Sequence, residues 1–204
     1  MDRAELVELQ YITRSENIAS IIQHGILSNK LARYHNPVSI ALTDVQDIRE
    51  RRSVPGGRPL HEYVNLYVCA RNPMMYLRRD QHLELAVIQV SPAIVDIRGV
   101  VVTDANAASG YSRFAPAPGG IDIVDGTLTF AHSWKHPDDE IQEWRHKSMK
   151  CAEVLVPDRV SPEYLIGAYV SCEQAKASIL QIVGGVAITV DPYMFFQATV
   201  PGEP

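Results

Sequence analysis

The chain has 204 residues and is 46% apolar, long enough for one well-buried core and short for two, so a single domain over 1–204 is expected. Nineteen Lys and Arg against 24 Asp and Glu leave a net charge of −5, which argues against a general polyanion binder while allowing a local basic cleft. Cys69, Cys151 and Cys172 show no CxxC spacing, and there is neither a signal-peptide core nor a run of 18 apolar residues; reduced thiols, a cytoplasmic location and no membrane span are expected.

In chain order, Leu6 to Thr13 reads as a first strand. Ser15 is a candidate N-cap for a helix with apolar positions Ile18, Ile21 and Ile22, ending at Gly25 in a left-handed conformation. Ile26 to Pro37 is punctuated as loop. Asp44 to Arg52 predicts a helix capped by Thr43 or Asp44, and Val54 to Pro59 a turn, because two prolines and a glycine pair break any ladder. Tyr63–Ala70, Leu83–Val90 and Ile94–Val102 read as strands, with a short helical turn at Met74–Leu77. Arg113 to Lys150 has little regular pattern, and a stretch of that length in a small domain is usually functional or disordered. Tyr164–Ser171 and Val186–Val190 read as strands around a helix from about Cys172 to Ile182, and the chain trails off through Pro201 and Pro204.

The long irregular stretch leads into Lys150-Cys151-Ala152-Glu153-Val154-Leu155-Val156-Pro157, a strand-like apolar run holding one carboxylate. An ionised group there is costly unless something faces it. Glu153 is either the wet face of an edge strand, sharing a side with Leu155 and Pro157, or a functional group. Arg49, Arg51 and Arg52 are a solvated helix face or part of a site. Trp134 and Trp144, near Lys135, Arg145, His146, Lys147 and Lys150, either stack bases beside a cationic track or cover a small core under the loop. Met74, Met75 and Tyr76 read as core filling. His132 and His136 lack a third ligand and Pro137 interrupts them, so no metal site is expected. Gly56-Gly57 and Gly119-Gly120 are turns without phosphate-loop spacing, and no nucleophile elbow is present.

The ordered segments Tyr11-Ile12-Thr13, Asn17 and His24-Gly25; Val45-Gln46-Asp47-Ile48-Arg49 and Val54-Pro55; Leu60-His61-Glu62-Tyr63-Val64; Tyr67 through Tyr76; Asp104-Ala105-Asn106-Ala107-Ala108; and Cys151-Ala152-Glu153-Val154-Leu155-Val156 together resemble the DarT family of DNA ADP-ribosyltransferase toxins. The resemblance implies an α+β, ADP-ribosyltransferase-like fold in which two small β-sheets, flanked by helices, form an NAD cleft. It implies transfer of ADP-ribose from NAD to a thymine or guanine of single-stranded DNA, with Glu153 and Arg49 as catalytic residues. Ile12, Thr13 and Asn17 would line the nucleotide side, with Tyr67, Met75 and Tyr76 near the nicotinamide. Tyr11 stands where members commonly carry a histidine. Residues 113–150 correspond to the substrate-recognition loop, with Arg52, Trp134, Arg145, Lys147 and Lys150 as candidate DNA contacts. An antitoxin of the DarG type, with a macrodomain that removes the mark, is the implied partner of a monomeric enzyme. An RNA or protein acceptor, and a non-catalytic nucleotide- or nucleic-acid-binding module, are the alternatives.

Overall fold

The computed structural model describes residues 1–35, 37–39 and 43–198, for 43–45 the backbone alone. The expected side-chain cap by Thr43 or Asp44 and the tail from Pro201 to Pro204 lie outside this description.

Strand β1 (Leu9–Arg14) leads through a 3-10 turn, opened rather than capped by Ser15, into helix α1 (Ile18–His24). Ile18 and Ile21 face the core, and Gly25 ends the helix at φ 79° with its N–H on the Ile21 carbonyl at 2.7 Å. A Cβ there would stand 2.1 Å from the Val160 carbonyl oxygen, so both conformation and close approach require glycine. The stretch expected to be loop instead forms β2 (Ile26–Leu27), paired with Arg159–Val160, then α2 (Asn29–Ala32) and a 3-10 turn at Arg33–His35.

Helix α3 (Thr43–Glu50) is followed by the expected turn, closed by a bridge between Ser53 and Pro59. Then come β3 (Tyr63–Tyr67), α4 (Pro73–Leu77) and β4 (Leu85–Val90). Asn72 caps α4, its side-chain oxygen accepting the Met74 and Met75 N–H groups. The strand expected from Ile94 is corrected: Ser91 and Pro92 open a 3-10 turn over Pro92–Asp96, and only Val101–Thr103 (β5) is extended. A serine cap with proline at the first position outweighs β-branched propensity there.

Residues 113–150 are more regular than their composition suggests, holding β6 (Phe114–Pro116), α5 (Gly126–Phe130) and α6 (Glu140–Met149). Asp125 and Asp139 cap the two helices, accepting the Leu128 and Gln142 N–H groups at 3.0 and 2.9 Å. The chain closes with β7 (Glu153–Pro157), β8 (Arg159–Val160), β9 (Leu165–Val170), α7 (Glu173–Ile182) and β10 (Ile188–Val190).

Among the described residues, eight strands form one sheet in the order β10-β9-β4-β1-β3-β7-β5-β6, beside the small β2-β8 pair. The expected two sheets are therefore joined. The join is narrow: β1 and β3 touch through Gln10 and Tyr67 alone, whereas β1 follows β4 over six pairs and β3 follows β7 over five. Past that contact the two half-sheets diverge and leave a cleft at the seam. Leu9, Leu66, Ile88, Val102, Val154 and Val170 belong to one buried cluster that spans both halves.

Candidate active site

Strand β7 is interior, hydrogen-bonded to β3 on one side and β5 on the other. The edge-strand reading of Glu153 is thereby overturned: the residue is wholly inaccessible to solvent. Its N–H donates to Thr103 Oγ1 at 3.2 Å, and Tyr67 stands opposite it in register. What faces the carboxylate is Arg49, whose Nη1 and Nη2 donate to Oε1 and Oε2 at 3.1 and 3.0 Å across 104 residues of sequence. The arginine is 5% exposed. Helical periodicity puts Gln46 and Arg49 on one face of α3, while Arg51, two positions on, is exposed. The solvated-face reading therefore holds for Arg51 and fails for Arg49.

A buried bidentate pair of this kind adds little net stability, because desolvation consumes most of the attraction; breaking it by removing one partner is what costs. Burial pulls the Arg49 pKa down, and the charge and hydrogen bonds of Glu153 more than reverse this, leaving it raised. Desolvation first, and then the Glu153 charge, hold the Tyr67 phenol protonated well above its usual range. The same two causes push the Cys151 thiol up to about 12.

The cleft at the seam encloses about 470 Å³ and reaches Arg49 at its floor. Tyr11, Ile12 and Thr13 of β1 form one wall, and Tyr63, Val64, Asn65 and Tyr67 of β3 the other. Asn17 lines it too, but its side-chain amide is engaged in a two-way bond with the Val38 backbone, at 2.9 and 3.0 Å. It thereby holds the rim segment 37–39 in place. Of the residues expected near the nicotinamide, Tyr67 is in the wall. Met75 is not: it is fully buried against Ile12 and Leu85 behind the wall. Tyr76 is turned away to meet Trp134 and Phe196 edge-on. Met74 and Leu77, one helical position off on either side, line the cleft in their place.

Sequence reasoning passed over a polar set lining the same cleft. Asn29 and His61 both meet the Gln46 side-chain oxygen, at 3.3 and 3.1 Å, and Arg33 and Asn106 complete the rim. Burial and then the Arg49 charge lower the His61 pKa. Gln46 and His61 lie in segments that carried the family resemblance; nothing in their local pattern marks them as cleft residues.

The candidate DNA contacts divide. Arg145 is exposed, Lys147 is half-exposed in an i,i+4 ion pair with Glu143 at 2.6 Å, and the Arg52 guanidinium lies 5.6 Å over the Phe114 ring. Lys150 is misassigned. It is 1% exposed, and its ammonium is consumed by the Thr129 and Ala131 carbonyls at 2.9 and 2.6 Å. Trp134 is likewise covered, 7% exposed and packed edge-on against Tyr76 and Phe196. The small-core reading was correct for Trp134, whereas Trp144 is 52% exposed.

Residues 10–196 match the family model described as ssDNA thymidine ADP-ribosyltransferase, DarT. The chain belongs to the DarT family. It is 30% identical over 198 residues to the DNA ADP-ribosyl transferase–DNA ADP-ribosyl glycohydrolase fusion protein of Thermosipho africanus, an alignment covering 93% of this chain and 49% of that protein. The structure of Thermosipho africanus DarTG in complex with ADP-ribose superposes with a TM-score of 0.81 at 28% identity, over 93% of this chain and 51% of that one. This chain thus spans about half the length of the Thermosipho africanus protein in both comparisons. The fold also recurs in Thermus sp. 2.9 DarT in complex with ADP-ribosylated ssDNA, with a TM-score of 0.79 at 22% identity over 94% and 97% of the two chains. The same Thermus protein in complex with NAD+ gives a TM-score of 0.75 at 20% identity, over 94% and 98%. No described helix of this DarT-family chain is long and apolar enough to cross a membrane, and the described residues hold no group of three His, Cys, Asp or Glu arranged to bind a metal.

Proposed function

We propose that this chain transfers ADP-ribose from NAD to the thymine of a thymidine in single-stranded DNA, releasing nicotinamide. The observation that carries the reading is the buried Arg49–Glu153 pair at the floor of an open cleft between two half-sheets, in a chain of the DarT family. A volume of about 470 Å³ falls within the range of small-molecule sites. The lining suits a dinucleotide: Arg33 and Arg49 offer cations to a pyrophosphate, Tyr11 and Tyr67 offer rings to stack on bases, and Asn29, Gln46 and His61 offer directional polar groups.

In the chemistry proposed here, Glu153 is the reacting carboxylate. Arg49 covers it completely, so the guanidinium must turn toward the pyrophosphate before Glu153 can hold a ribose hydroxyl. As the glycosidic bond to nicotinamide breaks, its electron pair leaves with the ring and positive charge develops on the ribose. A fixed carboxylate in a water-poor site stabilises that charge where it arises. The attacking ring nitrogen of the base closes the new C–N bond and gives its proton to Glu153.

The thymidine acceptor is supported by the family description, and the Thermus protein bound to ADP-ribosylated ssDNA is consistent with it. Fusion of the Thermosipho relative to a glycohydrolase supports an antitoxin of the DarG type, removing the mark, as the partner of this chain in a toxin–antitoxin pair. A monomer acting in the cytoplasm, where DNA is accessible, completes the proposal. The test is mass spectrometry of single-stranded oligonucleotides with each base varied in turn, incubated with NAD. The expected result is one ADP-ribosyl adduct per reactive thymidine; adducts confined to RNA, protein or guanine would overturn the acceptor assigned here.

A further inference from the structure

Tyr111 and Trp144 are the most exposed tyrosine–tryptophan couple in the described chain, 82% and 52% accessible, and they meet edge-to-face with centroids 5.7 Å apart. Aromatic pairs normally serve to bury area; this one stands on the surface and leaves a ring face open. Its position ties it to the cleft. Asn106 lines the cleft, donates its N–H to the Ser148 carbonyl at 3.0 Å, and accepts from Ala108, Ser109 and Ser112, so that the turn bearing Tyr111 hangs from it. Ser148 lies one helical turn, about 5.4 Å, beyond Trp144 on α6.

Charge along α6 selects the direction of approach. Asp138, Asp139 and Glu140 gather at its start, whereas the exposed Arg145 and the half-exposed Lys147 lie toward the end knitted to Asn106. Arg113, whose side chain is 67% exposed despite its ion pair with Asp104, follows on the Tyr111 side. An open aromatic face bordered by cations is the arrangement that holds single-stranded nucleic acid, the ring taking a base and the cations its phosphates.

We infer that Tyr111 and Trp144 form a stacking platform for a nucleobase adjacent to the base that enters the cleft. The platform rests on the reading of the substrate as single-stranded DNA, and fixes the strand so that its neighbouring nucleotide is presented at the Asn106 rim. Both side chains are largely solvent-exposed, so truncating them leaves the core intact.

The test is the affinity of a fluorescein-labelled oligothymidylate for the full chain without NAD, measured by anisotropy and repeated with an abasic site stepped along the strand. Trp144→Ala and Tyr111→Ala are each expected to weaken binding about ten-fold. Trp144→Phe keeps a stacking face and stays within about three-fold. In the unsubstituted chain one abasic position lowers affinity by a similar factor, and in Trp144→Ala that position no longer matters. Unchanged affinity in both alanine variants, an abasic penalty that survives in Trp144→Ala, or no binding of the oligonucleotide by the unsubstituted chain would each overturn the platform. Because NAD is absent, the outcome is independent of catalysis: binding through these rings without any adduct sinks the transferase assignment alone, and adducts with indifferent rings sink the platform alone.

Discussion

Arg49 covers Glu153. Both oxygens of the carboxylate are taken by one guanidinium, at 3.1 and 3.0 Å, and no part of Glu153 reaches solvent. The pair is structural by this geometry and chemical in the proposed function, and the two contributions separate experimentally. Glu153→Gln is expected to lower the transferase rate by two to three decades, the usual worth of one group placed at developing charge. It also strands a buried cation, a loss of roughly 3–5 kcal/mol. Arg49→Leu combined with Glu153→Leu recovers most of that stability and none of the activity. Urea denaturation beside a nicotinamide-release assay reads both; a double variant no more stable than Glu153→Gln contradicts the pairing.

Cys151 is expected to contribute to alkaline destabilisation. Its folded-state thiol is raised by burial and then by Glu153, from a usual 9.0 to about 12. The unfolded chain ionises first, so this contribution is complete below pH 9 and is lost as pH rises toward 12, at about 1.4 kcal/mol per pH unit. Tyr67, raised in the same way, adds to the decline above pH 10. Cys151→Ala is expected to flatten the fall of the urea midpoint across about two pH units in the lower part of that window, from about pH 9 to about pH 11. A slope equal to that of the unsubstituted chain contradicts the assignment.

Lys150 and Arg145 are expected to behave oppositely. Lys150→Met leaves the Thr129 and Ala131 carbonyls unsatisfied and costs about 1–3 kcal/mol of stability. It leaves the salt dependence of DNA binding unchanged. Arg145→Ala is close to neutral for stability and reduces the slope of log affinity against log salt by about 0.7, the value for one phosphate contact on a single strand. Titrations at several salt concentrations distinguish the two.

On the proposed function, Tyr11 and Asn17 are expected to affect NAD binding by different routes. Tyr11→Ala removes part of the β1 wall and is expected to raise KM for NAD about ten-fold, while Tyr11→His, the residue common at this place in the resemblance, restores most of it. Asn17→Ala releases both bonds to Val38 and loosens the rim, so KM rises with little change in kcat. A kcat effect as large as that of Glu153→Gln would place Asn17 at the chemistry instead.

The sequence by itself determined the ordered segments that carried the family resemblance, most of the strands, α1 with its glycine stop, and the candidacy of Arg49 and Glu153. The strands, α1 and the attention drawn to Glu153 rest on short-range pattern: apolar spacing, turn residues and a carboxylate out of place in an apolar run; the candidacy of Arg49 rests on the resemblance. Caps at Asp125 and Asp139 were present in the sequence and underweighted, which is why residues 113–150 read as loop. Tertiary structure alone decided which way side chains point once a strand or helix has neighbours on both sides. Alternation made Glu153 look solvated because it cannot reveal that β3 and β5 flank β7. Composition put Lys150, Trp134 and Trp144 in one basic, aromatic stretch, yet the fold turns Lys150 onto two carbonyls and Trp134 into an aromatic cluster, and leaves Trp144 beside Tyr111 at the surface. Hydrogen bonding and burial between residues distant in the chain set those directions, and the local pattern carries no record of them.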